Sequence, residues 1–299
     1  MTLSGHALAD NLGHDKKIYT VGFAVDSMAN DWRSAQVNQL TDEFIKYPNI
    51  RFIVTDAGGK SARQIQDMED LANQKVDVLI TSPRDGAAST PAIARIYNKG
   101  IPVVLISRNI TTNDYTSLIT PDDYQVASDA AELIAKKLNG KGKVLILRGI
   151  PTATTAIKRT QGFLDTIKHY PGIEVVGIKD GNYLRGDSIR AIEDALSENM
   201  SFDVIFSQSD SMASGARLAL AKAGISPKKK LIVGIDYIQE ARAAIRSGEQ
   251  YASFLYPTSA KQAAEVVMKI LYGKKVPKKV IVKSQVITKD NVELVKPIF

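Results

Sequence analysis

Ten short apolar runs punctuate the chain, and between them apolar positions recur every three or four residues. The runs are IYTVGFAV (18–25), IRFIVTD (50–56), VDVLITS (76–82), PVVLIS (102–107) and SLIT (117–120), then KVLILRG (143–149), IEVVGIK (173–179), FDVIFSQ (202–208), KLIVGID (230–236) and YASFLYP (251–257). They are rich in β-branched residues and continuously apolar, which predicts strands buried on both faces of a parallel sheet. The spacing of Val37, Leu40 and Phe44, of Ile65, Met68 and Leu71, and of Ala131, Ile134 and Leu138 predicts helices between them. Phe163 and Ile167, Ile189, Ile192 and Leu196, and Leu218, Leu220 and Ala223 continue the series. Gly100, Gly140, Gly224 and Gly248 stand where helices of this kind end.

Strict alternation of strand and helix implies an α/β fold with doubly wound, parallel sheets and right-handed crossovers. Ten strands are many for one such sheet. The units in 18–120 and in 143–257 share one rhythm, so two Rossmann-like lobes are expected. No low-complexity linker separates them, which implies a tight hinge.

Composition narrows the function. Lys and Arg number 39 against 32 Asp and Glu, a formal net charge of +7. The densest basic clusters, SPKKK (226–230) and GKKVPKK (273–279), sit in turns before apolar strands, the usual place for solvated lysines. Nucleic acid is therefore not an expected partner. The chain has no cysteine, which excludes disulfides, thiolate metal sites and cysteine nucleophiles. No run approaches the roughly 18–20 apolar residues that span a bilayer. The opening MTLSGHALADNLGHDKK has no basic segment followed by an apolar one, so residues 1–16 read as a polar, disordered extension and not as a signal peptide.

In open α/β sheets ligands sit beyond the carboxyl ends of the strands. There this chain places Asp26, Ser27, Asn30, Trp32 and Arg33; Ser107, Arg108 and Asn109; Asp122 and Asp123; and Thr152, Thr154, Thr155 and Arg159. Asn182 and Tyr183, Ser209 and Asp210, Asp236 and Tyr237, and Tyr256 follow later strands. Carboxylates and guanidinium forks can each engage two neighbouring hydroxyls, and an indole or phenol face packs on the C–H face of a sugar ring. The set suits a polyhydroxylated ligand, although Asp26 and Asp210 could equally cap helices.

Catalytic chemistry finds no support. GGKS (58–61) lacks the first glycine of a phosphate loop, because Val54 occupies that position. His6 and His14 lie in the polar extension and His169 late on a helix, so neither a Ser–His–Asp relay nor a histidine metal site has candidates. Asp122 and Asp123 are adjacent and point apart. No enzyme, metal or cofactor is expected.

The strand-end segments resemble those of type I periplasmic sugar-binding proteins, the ribose-binding class of solute-binding components of ABC importers. VGFAVDSMANDWRSA resembles the first strand and ligand loop of that family, and GIPVVLISRNI its fourth strand. LRGIPTATTAIKRTQGF, FSQSDSMASGARLALAKAG and LIVGIDYI follow in the family's order. The resemblance covers roughly residues 17–290. It implies an N-terminal lobe of 17–120 plus 257–282 and a C-terminal lobe of 121–256 plus 283–299, joined by a three-strand hinge.

Carried over, Asn30, Trp32, Arg33 and Arg108 would form one wall of an interlobe cleft. Arg159, Tyr183, Ser209 and Asp236 would form the other, with Tyr256 at a crossover. Asp26 and Asp122 complete the expected ligand set. Ser107–Arg108 stands where many relatives have aspartate–arginine, and Ser209–Asp210 where many have asparagine–aspartate. Trp32–Arg33 replaces the two phenylalanines of ribose binders and resembles galactofuranose binders. Against a ribose pocket, a carboxylate is lost and a guanidinium gained. Either the ligand is a sugar acid or another anionic hydroxylated compound, or the sugar is neutral and Arg33 pairs with Asp26 or bonds its hydroxyls.

The implied function is an extracytoplasmic, periplasmic or extracellular membrane-associated solute-binding protein, acting as a monomer without cofactor and delivering its sugar to an ABC permease. The alternatives are presentation of that sugar to a sensor kinase or chemoreceptor, and the effector core of a lactose-repressor-type regulator. The last needs a helix–turn–helix module upstream, and only about 16 residues precede the first strand.

Overall fold

The computed structural model describes residues 17–299, so the extension expected over 1–16 lies outside the described residues. The described chain forms two compact units. One comprises residues up to 29, 33–120 and 258–280, and the other 30–32, 121–257 and 281–299.

The first unit runs β1 (Tyr19–Val25), α1 (Asp31–Phe44), β2 (Ile50–Asp56), α2 (Ser61–Asn73), β3 (Val78–Thr81), α3 (Gly86–Asn98), β4 (Val103–Ile106) and β5 (Ser117–Thr120). The second runs α4 (Asp123–Lys137), β6 (Lys141–Arg148), α5 (Thr154–Ile167), β7 (Gly172–Asp180), α6 (Arg185–Ser197), β8 (Val204–Ser207), α7 (Asp210–Lys222), β9 (Leu231–Asp236), α8 (Gln239–Ser247) and β10 (Ala252–Leu255). The chain then supplies α9 (Ala260–Leu271) and β11 (Lys279–Ile281), and finally β12 (Gln285–Ile287).

Each unit holds one six-stranded sheet, ordered β11-β5-β4-β3-β1-β2 and β12-β10-β9-β8-β6-β7. The pairs from β1 to β5 and from β6 to β10 are parallel, while β12 runs antiparallel to β10. In both sheets the order reverses beside the unit's first strand, between β1 and β3 and between β6 and β8. Ligands bind at such reversals.

Period-two alternation divides the second core. Val144 and Ile146 of β6 pack with Ala127, Ile134 and Phe163 of α4 and α5, whereas Leu145 and Leu147 pack with Ile192, Met212 and Ala216 of α6 and α7. Phe163 stacks on Phe206 with centroids 4.4 Å apart. In the first unit α2 and α3 close one sheet face with Met68, Leu71, Ile93 and Ile96.

Two expectations need correction. Burial on both faces holds for the central strands β3, β4 and β8, but β2 and β7 are sheet edges, and only some of their residues are covered. On α7 the core face is Met212, Ala213, Ala216, Ala219 and Leu220, while Leu218 is 52% exposed.

Candidate functional site: two strand-end clusters

At the carboxyl ends of β1, β3 and β4 the first unit gathers a buried polar cluster around Asp26. Arg33 Nε donates to Asp26 Oδ1 at 3.0 Å and Arg108 Nη1 to Oδ2 at 2.7 Å. Burial pushes the Asp26 carboxyl up, but the guanidinium groups of Arg108 and Arg33 outweigh it and bring the pKa down to about 2. Arg33 also donates to Ser82 Oγ at 2.8 Å and to Gln36 Oε1. Gln36 in turn reaches Ser107 Oγ at 3.2 Å and the Thr258 carbonyl at 2.6 Å. Ser107 holds a left-handed φ of +67° directly after β4, which turns the chain so that Arg108 follows beside Asp26. Arg33 is thus tied to protein acceptors through Nε, Nη1 and Nη2 alike.

The second unit builds its cluster around Arg159 on α5, which is buried. Its Nε donates to Asp123 Oδ1 at 2.8 Å and its Nη1 to the Gln208 carbonyl at 2.5 Å. The guanidinium lies 4.4 Å from the Tyr256 ring centroid and 5.9 Å from that of Tyr183, within reach of cation–π attraction. Burial works against the charge, yet Asp123, Tyr183, Tyr256 and Asp236 together hold the Arg159 pKa above its usual value. Burial pushes the Asp236 carboxyl well up, and Arg159 and a backbone hydrogen bond from Asp210 only partly oppose it.

Four residues beside this cluster are set by local strain and space. Asn182 and Tyr183 after β7 adopt φ of +52° and +62°, and Asp236 and Tyr237 at the end of β9 adopt +117° and +63°. Non-glycine residues in this region cost of order 1–3 kcal/mol each and concentrate at functional sites. The Tyr183 ring lies over Gly149, where a Cβ would fall 2.0 Å from Cζ, and its hydroxyl meets Thr155 Oγ1 at 2.9 Å.

Residues 30–32 belong by their contacts to this second unit. Asn30 Nδ2 donates to the Tyr183 carbonyl at 2.6 Å. Trp32 is 7% exposed, its ring centroid 5.7 Å from that of Tyr256, and its Nε1 donates to the Tyr256 carbonyl at 3.0 Å. The chain's single indole is therefore packed in the apolar cluster that also contains Val126 and Phe254.

Two expected ligand residues have helix-capping roles. Asp122 is exposed and accepts from the Gln125 amide at 3.2 Å as N-cap of α4. Ser209 is buried and accepts from the Met212 amide at 3.3 Å as N-cap of α7. Sequence reasoning passed over Gln36, Ser82 and Gln208. Gln36 was legible in principle, because it lies three positions after Arg33 and shares its helix face. Of the adjacent pair after β5, it carried Asp122 into the expected ligand set and left Asp123 out, whereas it is Asp123 whose carboxylate meets Arg159.

Among the described residues no group of three or more His, Asp or Glu could hold a metal ion, and no helix is long and apolar enough to cross a membrane. The arrangement offers carboxyl, guanidinium and aromatic groups to a ligand.

Residues 21–275 match the family described as periplasmic binding protein domain. The ribose import binding protein RbsB of Bacillus subtilis (strain 168) is 30% identical over 266 residues, covering 88% of this chain and 85% of that protein. The galactofuranose-binding protein YtfQ of Escherichia coli (strain K12) is 28% identical, covering 87% and 84%. Among solved structures, the fructose-binding periplasmic domain of the hybrid two-component system BT1754 superposes with a TM-score of 0.88 at 29% identity, covering 92% of each chain. Sheet order, strand-end chemistry and these likenesses agree: the chain belongs to the periplasmic binding protein family and has its type I fold.

Proposed function

We propose that this chain is an extracytoplasmic solute-binding protein that captures a neutral sugar or polyol and delivers it to an ABC importer. The observation that carries the ligand class is the pairing of Arg33 with Asp26. Because Asp26, Gln36 and Ser82 each take a donor from one of its three nitrogens, and Asp26 balances its charge, the extra guanidinium acts as a strut within the cluster and not as the partner of an anionic ligand. Ribose and galactofuranose binders among the relatives support the same class.

On this reading Asp26 and Arg108 of the first cluster, and Arg159, Asp236, Tyr183 and Tyr256 of the second, engage ligand hydroxyls and ring faces, with Asn30 and Trp32 beside them. The protein works as a monomer, without nucleic acid, cofactor or catalysis, in the periplasm or on the outer face of the membrane.

A thermal-shift panel of D-ribose, D-fructose, L-arabinose, xylitol, myo-inositol, galactose and their uronic acids tests the reading, since a ligand of the native state raises the melting temperature by mass action. A shift with a neutral member supports it; shifts confined to the acids overturn it. The likeness to a sensor domain favours one second reading, presentation of the sugar to a membrane sensor. Uptake of the labelled sugar that is lost when the gene is deleted identifies import. Uptake that survives deletion identifies sensing.

A further inference from the structure

Asp210, the first residue of α7, is fully buried, and every side-chain partner it has among the hydrogen bonds seen is a donor. Its Oδ1 accepts from Gln250 Nε2 at 2.7 Å. Its Oδ2 accepts from the Tyr237 amide at 2.7 Å and from the Ser253 hydroxyl, and Ser253 Oγ accepts from the same amide at 3.0 Å. Gln250 cannot turn over to offer an acceptor, because its Oε1 is held by Arg217 Nη1, and a guanidinium only donates. The carboxyl lies against bare β9 backbone: a Cβ at Gly234 would fall 1.9 Å from Asp210 Oδ1. The amide that it holds belongs to Tyr237, second of the two consecutive left-handed residues that end β9. The first is Asp236, whose own carboxyl stands near Arg159.

We propose that Asp210 is a positioning residue whose carboxylate pins the Asp236–Tyr237 turn in its left-handed form and so aims the Asp236 carboxyl at a sugar hydroxyl. The sugar part of this inference rests on the function proposed above, while the turn part rests on the geometry alone. Without a full carboxylate, nothing in the β9 sequence favours two successive positive φ values, since neither residue is glycine. The isosteric amide is diagnostic. Whichever way Asp210→Asn turns, it sets an N–H against a donor, either Gln250 Nε2 or the Tyr237 amide.

Two variants, Asp210→Asn and Ser253→Ala, are compared with wild type in sugar-free crystal structures and in titrations with the panel sugar of largest thermal shift. Each is also combined with Asp236→Asn. The expected results are a turn that leaves φ of +117° and +63° in Asp210→Asn, and an affinity about tenfold weaker. Ser253→Ala, which removes one of the two anchors on Oδ2, is expected to weaken binding about threefold. Both losses should vanish in the Asp236→Asn background.

A stabilising role in the core would instead lower the melting temperature with affinity unchanged, or leave full losses in that background, and either result overturns the proposal. Should Asp210→Asn fail to fold, Gln250→Met, which removes the donor on Asp210 Oδ1 without touching the Tyr237 amide, goes through the same cycle and decides with Ser253→Ala. Should no panel sugar bind wild type, the functional reading fails by itself. The turn geometry then decides: an unchanged turn in Asp210→Asn, or in Gln250→Met if the former does not fold, overturns the role of Asp210.

Discussion

Asp236 and Asp26 are both buried carboxyls beside guanidinium groups, yet their proton affinities diverge. Burial dominates at Asp236, where one arginine is opposed by the nearby Asp210 and Asp123 carboxylates and the pKa is raised, whereas two arginines beside Asp26 carry it down to about 2. A sugar hydroxyl that donates to Asp236 favours the ionised form. Binding therefore releases a proton, and affinity rises with pH up to the free-site pKa. Calorimetric titration across pH should show this slope in wild type and lose it in Asp236→Asn; an equal slope in both removes Asp236 from the site. For Asp26 the sign is that of a lowered folded-state pKa. Its stabilisation, about 2 kcal/mol, is present above pH 3.8 and is lost as pH falls through about 2. Asp26→Ala leaves two guanidiniums uncompensated and should cost about 3–5 kcal/mol in denaturant unfolding. Trp32 shows where the sequence stopped being legible. Its position after β1 marked it as a site residue, but only the fold shows that its Nε1 and ring are engaged by Tyr256. Trp32→Ala should consequently cost about 3–5 kcal/mol of stability as well as affinity, so the sugar-binding contribution is better read from Trp32→Phe.

Strands and helices were legible because their signals are local. Continuous apolar runs marked β3, β4 and β8, and Gly100, Gly140, Gly224 and Gly248 all take left-handed φ at helix ends. Sheet order is not local, and so the edge positions of β2 and β7 escaped the sequence. Their sequences carry charged residues, Arg51 and Asp56 in β2 and Glu174, Lys179 and Asp180 in β7, but an apolar run still marks each as a strand, and only the sheet order shows them at the edge. Close approaches between elements escaped it too. Helices α4 and α5 meet where Gly162 faces the Tyr124 carbonyl, and a Cβ there would fall 2.3 Å from that oxygen. Backbone cannot yield as a flexible side chain does. Gly162→Ala should therefore separate the two helices at a cost of about 1–3 kcal/mol in thermal or denaturant unfolding. A stability equal to wild type would show that the helices are not held at this distance. Arg159 sits one turn before Gly162 on α5, so the same variant should also weaken sugar binding.

Across the whole molecule, each sheet ends its strands beside the point where their order reverses, and each carries there a buried arginine–aspartate pair: Arg108 with Asp26, and Arg159 with Asp123. Nothing in a folded domain requires buried charge at these positions, since well-packed apolar residues would do as well or better for stability. On the proposed function a polyhydroxylated ligand gives it a use, because hydroxyls need fixed partners. The central proposal is that each cluster takes part in binding sugar. Isothermal titration of the panel sugar with the largest thermal shift into Arg108→Ala and Asp236→Ala, alongside wild type, tests it most directly. The account predicts that each variant, one per unit, remains folded at the assay temperature and loses at least about 2 kcal/mol of affinity, some thirtyfold. Wild-type affinity in either folded variant would contradict it.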